Sequence, residues 1–168
     1  GRGADTIAGG DGVDLLHYGT STDDLGNPGT LGVIVNLTGA TVTGNGATLA
    51  AGTARDQWGD VDTLSGIEDV QGSAANDRML GDAGNNTFYG NGGADTFFGG
   101  AGADMFVGGS DAGSSVWYSM YGQQAGTEGV QVNLSSITIA GLAARTGLDD
   151  SGALDIYGTG IRHVRGTA

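Results

Sequence analysis

The sequence has no cysteine and no lysine, one proline among 168 residues, and two glutamates beside seventeen aspartates. Without cysteine, neither disulfides nor thiol chemistry is available, and thiolate metal ligation is excluded. A single proline excludes a polyproline or collagen-like chain despite 36 glycines. No apolar run approaches the roughly eighteen residues needed to cross a membrane, and no N-terminal export signal is visible, so neither membrane insertion nor a signal peptide is expected. The catalytic signatures H-E-x-x-H and G-x-S-x-G are both missing, and no nucleophile–base constellation converges, so the chain is not expected to be an enzyme.

What is present is aspartate and glycine. Six arginines against nineteen acidic residues give a formal net charge of −13, which makes nucleic acid an unsuitable partner. Aspartate's short arm suits turns and metal clasps, whereas an acidic helix surface would favour glutamate. With 38% apolar residues, a compact helical domain is not expected.

A nine-residue period runs from Gly72 to Gly109, in blocks starting at Gly72, Gly81, Gly90 and Gly99. The sixth places hold Asp77, Asn86, Asp95 and Asp104, and the eighth places hold Met79, Phe88, Phe97 and Phe106. Such a fixed period signals a solenoid. Glycine heads turn tightly while the last three residues of a block run extended, so two blocks make one coil of eighteen residues. The eighth-place residues then point inward from two stacks, Asp77 lies under Asp95, and Asn86 lies under Asp104. Stacked carboxylates repel unless a cation lies between them. Hard oxygen donors on flexible turns favour Ca²⁺, and several ions are expected.

These blocks resemble the RTX (repeats-in-toxin) nonapeptide G-G-x-G-x-D-x-U-x, which Gly99 to Val107 matches at every specified place. The other blocks depart from it, most of all at Asn86, where a neutral amide brings less charge. The resemblance implies an all-β fold, a right-handed parallel β-roll or β-helix solenoid with calcium-binding glycine-rich turns, interrupted by irregular β segments. It also implies a ligand set of turn carbonyls from the second and fourth places plus the sixth-place side chain. In the main stretch these are Ser73 and Ala75 with Asp77, Asp82 and Gly84 with Asn86, Asn91 and Gly93 with Asp95, and Gly100 and Gly102 with Asp104, followed by Gly109 and Asp111. In a shorter N-terminal piece they are Gly1 and Gly3 with Asp5, then Gly10 and Gly12 with Asp14, with Asp23 one coil further on.

The chain divides into a short repeat piece (1–17), an interrupting β segment (18–71), the main repeat stretch (72–109) and a second interrupting segment (110–168) read as a truncated tandem copy of the first. Asp5 and Asp14 are nine apart, as are Ile7 and Leu16, but one coil cannot bury a core and must stack on something. Val33, Val35 and Leu37 alternate on one face of a strand. Residues 38–60 read as loop with one strand near Ala47 to Ala51, and Leu64 to Val70 re-enters the repeat. Gly129 to Leu134 echoes residues 32–37, and Thr159 to Ala168 echoes residues 65–74.

The remaining residues point less sharply. His17 and His163 read as structural or surface residues. Asp60, Asp62, Glu68 and Asp69 read as a solvated acidic turn, with an extra Ca²⁺ as the alternative. Trp58, Trp117, Tyr118 and Tyr121 read as packing of the irregular segments, with sugar stacking as the alternative. The resemblance implies a structural module of a large bacterial protein exported by type I secretion, extracellular or on the cell surface, whose partners are calcium, neighbouring modules of the same protein or a cell-surface glycan. A carbohydrate-binding accessory module of a secreted polysaccharide-modifying enzyme is the alternative. Ice binding fits less well, because Arg78 and Met105 break the outward row.

Overall fold

The computed structural model describes residues 1–19, 26–44, 47–109, 113–117, 131–133, 145–148 and 152–165. Among these residues there are strands and no helix. In chain order they are β1 (Thr6–Ala8), β2 (Leu15–His17), β3 (Ile34–Asn36), β4 (Val42–Gly44), β5 (Ala47–Leu49), β6 (Thr53–Arg55), β7 (Val61–Ser65), β8 (Asp69–Gln71) and β9 (Arg78–Leu80). There follow β10 (Thr87–Tyr89), β11 (Thr96–Phe98), β12 (Met105–Val107), β13 (Ser114–Trp117), β14 (Gln131–Asn133), β15 (Thr146–Leu148), β16 (Leu154–Tyr157) and β17 (Ile161–Arg165).

Two sheets face each other across one core. The first has the order β1-β7-β6-β3-β9-β11-β13-β17 and the second β14-β15-β16-β12-β10-β8-β2. From β8 to β13 the chain visits the sheets alternately, as glycine heads and extended tails dictate. β8, β9 and β10 each pair in parallel with the strand eighteen residues on: Val70 faces Phe88, Met79 faces Phe97, and Phe88 faces Phe106. All five side chains are fully buried in the shared core. Phe97 sits between two rings of the opposite sheet, with centroids 6.1 Å from Phe88 and 5.8 Å from Phe106. These are favourable aromatic separations.

The N-terminal coil stacks on the returning interrupting segment. β1 pairs in parallel with β7 and β2 with β8, so that Ile7 meets Leu64 and Leu16 meets Val70. Val70 also faces Phe88 and occupies an eighth place, as its spacing from the repeats requires.

The interrupting segment alters the regular coil. β6 runs antiparallel to both β7 and β3, and β3 is parallel to β9. Two strands are thereby added to the first sheet, while in the second β8 pairs directly with β10. The described residues thus form two largely parallel sheets rather than an uninterrupted closed solenoid. The physical reason is connection length: residues 56–60 are too short for a crossover, so β7 must fold back beside β6.

Residues 38–60 also carry more structure than a loop with one strand, namely β4, β5 and β6. β4 and β5 form an antiparallel hairpin that lies on the outer face of the first sheet. Val42 and Leu49 pack there with Ile34, Leu80 and Phe98 in a second small core, and the Arg78 guanidinium lies 5.1 Å from the Phe98 ring centre. Two signals point to this cover: apolar ninth places at Leu80 and Phe98, and the Asn45-Gly46 pair that favours two-residue hairpins.

A similar strand succession recurs among the described residues near the C-terminal end. β14, β15 and β16 form the same antiparallel succession as β3, β6 and β7. β16 then docks in parallel on β12 as β7 does on β1, and β17 on β13 as β8 does on β2. The two copies sit in opposite sheets because an odd number of half-coils separates them.

Candidate metal centre: a buried carboxylate ladder

The sixth-place side chains line the turns at both edges of the core and are buried, with Asp77 at 3% exposure and Asp95 at 1%. Asp95 and Asp104 accept the main-chain amide of the residue eighteen earlier, whereas Asp77 accepts that of Val33 (2.8 Å) and the Asn86 side-chain amide donates to the Glu68 carbonyl (2.9 Å). Asp77 donates its amide to Asp95 Oδ1 (3.0 Å) and Asn86 to Asp104 Oδ1 (2.9 Å). Each also folds back on its own turn: the amide of Ser73 donates to Asp77 Oδ2 (2.7 Å) and that of Asp82 to Asn86 Oδ1 (3.0 Å). Main-chain donors hold these side chains in place because a buried carboxylate without them is costly.

The turns stack as closely as the side chains do. A Cβ on Gly100 would lie 1.9 Å from the Asp82 carbonyl oxygen, and one on Gly102 would lie 2.5 Å from that of Gly84. Both glycines have φ near +100° (97 and 99), which other residues rarely adopt. Gly93 sits in the same way on the Ala75 carbonyl, and Gly109 on that of Asn91. Second- and fourth-place carbonyls of one coil thus abut the glycines of the next, at turns whose sixth-place side chains are buried. Among the described residues no three His, Cys, Asp or Glu side chains are placed to hold an ion by themselves, so any ion here must draw on main-chain oxygens. That is the donor chemistry of Ca²⁺.

Not every expected ligand lies in such a gap. A Cβ on Gly1, Gly3, Gly10 or Gly12 would meet nothing within 4 Å, because β7 and β8 are not preceded by glycine nonapeptide turns. Carboxylates fill those places instead. Asp60 Oδ2 accepts the Gly3 amide (2.8 Å), Asp62 Oδ1 that of Asp5 (3.0 Å), and Glu68 Oε2 that of Asp14 (2.9 Å). The neighbour expected for Asp5 was Asp23, which lies outside the described residues, as do Asp111, Tyr118 and Tyr121. Of the acidic residues at 60–69, Asp60, Asp62 and Glu68 thus stack on the N-terminal coil, Asp62 buried and Asp60 and Glu68 partly exposed to solvent. His17 and His163 are exposed.

The ladder also extends to residues the nonapeptide pattern omits. Ser114 Oγ accepts the Asp95 amide (3.1 Å) and donates to Asp95 Oδ2 (3.0 Å). Asp155 Oδ1 accepts the Asp104 amide (2.9 Å), and Tyr157, two residues on, stacks on Phe106 at 6.1 Å. The signal for these residues was the fragment D-x-U alone, a polar residue two before a buried apolar one. Asp62-x-Leu64, Ser114-x-Val116 and Asp155-x-Tyr157 all carry it.

The carboxyls also bear the mark of burial. Asp77 is pushed up to about 6, chiefly by burial, with the Asp95 charge adding and the hydrogen bonds from Ser73 and Val33 opposing. Asp62 is raised by burial, opposed by the Asp5 amide and the Tyr18 hydroxyl, with Asp56 and Asp5 adding. The Tyr18 hydroxyl, 3.2 Å from Asp62 Oδ2, is pushed up by burial and by that carboxylate.

The first-place glycines make the fold-back possible. A Cβ on Gly90 would lie 1.9 Å from Asp95 Oδ2 and 3.2 Å from Phe97 Cζ. Gly90→Ala must therefore push the carboxylate out of the ladder, at an expected cost of about 2–3 kcal/mol. Thermal melting checks this against Gly39→Ala, a site with nothing within 4 Å, which should stay within about 0.5 kcal/mol of the parent.

A family model described as the RTX calcium-binding nonapeptide repeat matches the chain in four copies, at residues 1–25, 62–97, 71–106 and 80–113. These spans cover β1 and β2, then most of β7 and all of β8 to β12, while omitting β3 to β6. No curated protein matches the chain.

Proposed function

The chain carries RTX calcium-binding nonapeptide repeats at residues 1–25 and 62–113, which bind Ca²⁺, and on that premise we propose that it is a structural module of a secreted bacterial protein whose folding is driven by Ca²⁺ outside the cell. The ions lie between coils of a β-roll, held by second- and fourth-place carbonyls and by the sixth-place side chains of blocks eighteen residues apart. Asp77, Asp95, Asn86 and Asp104 are the side-chain ligands of the main stretch, and Asp155 extends their row. The observation that carries this reading is the ladder itself: buried carboxylates stacked coil on coil in a chain of net charge −13. Bound cations offset that repulsion, so binding and folding become one equilibrium. The repeated strand succession supports a role as one link in an array of like modules.

Circular dichroism tests the reading. In chelator the chain should be expanded, and millimolar Ca²⁺ should induce β structure where equal Mg²⁺ does not, because Mg²⁺ demands a tight octahedral, largely hydrated shell. A far-UV spectrum indifferent to chelator would refute it.

A further inference from the structure

The interrupting strands carry a carboxylate that the nonapeptide pattern does not predict. In the β6–β7 pair Ala54 faces Asp62 and Arg55 faces Val61. Ala54 lies in the core, so Asp62 is on the core face and Arg55 on the other. One residue beyond Arg55, Asp56 returns to the core face, and its amide continues the pairing to the Asp60 carbonyl (2.9 Å). On the other side of β7, Asp5 donates its amide to Asp62 (3.0 Å). Asp5, Asp62 and Asp56 thus occupy the same end of three adjacent strands, β1, β7 and β6. This is the edge where Asp77 and Asp95 stand further along the first sheet. Asp56 reaches it from the C-terminal end of an antiparallel strand, which is why no count of nine or eighteen finds it.

The chemistry of Asp56 points to a missing partner. Its residue is 1% exposed and Asp62 2%. Oδ1 accepts three amides, from Trp58 (2.9 Å), Gly59 (2.8 Å) and Asp60 (2.8 Å). Oδ2 is buried with no hydrogen-bond partner, and neighbouring Arg55 leaves its own Nε without one. Asp62 Oδ2 takes the Tyr18 hydroxyl, and the Gln57 side-chain amide donates to the Tyr18 carbonyl. A buried carboxylate oxygen beside a second buried carboxylate is strongly unfavourable without a cation, and all the donors at hand are oxygens.

We propose that Asp56 and Asp62 form an additional Ca²⁺ site, outside the glycine turns, that ties the interrupting loop to the N-terminal coil. It rests on the reading of the chain as a Ca²⁺-binding module, and it adds one ion to those of the repeats. It carries the row of cations across the inserted strands, where no nonapeptide turn exists.

Isothermal titration of the full chain with Ca²⁺ tests it by counting ions. Asp56→Asn and Asp62→Asn should each bind one ion fewer than the parent, the double variant should lose no second ion, and Asp11→Asn should lose none. Unchanged counts in both single variants would overturn the site and leave Asp56 as a loop cap, even with Asp95→Asn reducing the count. A parent that binds no Ca²⁺ would instead overturn the reading beneath it. Terbium emission sensitised through Trp58, two residues from Asp56, gives a readout that does not require altering the site. In a Trp117→Phe protein it should be strong and should be displaced by Ca²⁺, and its absence would count against the proposal.

Discussion

Phe97→Ala is expected to raise the Ca²⁺ concentration at which the chain folds by roughly five- to thirtyfold. Phe97 is fully buried between Phe88 and Phe106 and opposite Met79. Truncating such a ring removes about 3–5 kcal/mol in a core that cannot close over the void. The core here is one side chain deep from each sheet, so little is available to collapse inward. Because folding and ion uptake are linked, a loss of about 4 kcal/mol spread over two to four ions gives the stated shift in midpoint. Thr96, one residue earlier, faces outward between Arg78 and Ser115 on the neighbouring strands, and Thr96→Ala should move the midpoint less than twofold. A titration in which Thr96→Ala is the more damaging change would show the in–out register to be wrong.

Acid is expected to substitute in part for Ca²⁺. Asp77 ionises at about 6 in the folded chain against 3.8 for an ordinary aspartate. The folded state therefore holds this proton more tightly than the unfolded one. The resulting stability is fully present below about pH 4 and is lost as pH rises through about 6; across that interval it amounts to roughly 3 kcal/mol. In chelator, β structure should be greater near pH 4.5 than at pH 7.5, and at pH 7.5 Ca²⁺ should restore it by doing for the carboxylate what the proton does at low pH. Lowering the net charge also favours compaction, so the comparison is with Asp77→Asn. Its stability should vary less with pH by that amount, and a profile parallel to the parent's would exclude Asp77 as the titrating group.

The nine-residue period by itself determined the regular part of this protein. Two blocks to a coil, Met79 opposite Phe97, Phe88 opposite Phe106, and Asp77 and Asn86 stacked on Asp95 and Asp104 all follow from glycine heads, extended tails and a fixed spacing, which are local properties of the chain. Where the period lapses, the same arithmetic fails. That Asp5 rests on Asp62, that Asp104 is followed by Asp155, and that Asp56 enters the row from an antiparallel strand depend on which distant segments share a sheet. The sequence carried only the three-residue fragment D-x-U for the first two and nothing for the third. Tertiary structure alone decided that β6 and β3 widen one sheet and not the other, and on which face the hairpin signalled by Asn45-Gly46 and by the apolar ninth places docks. In each case the deciding energy is burial of apolar faces and pairing of strand edges between residues far apart in the chain, which no spacing rule encodes.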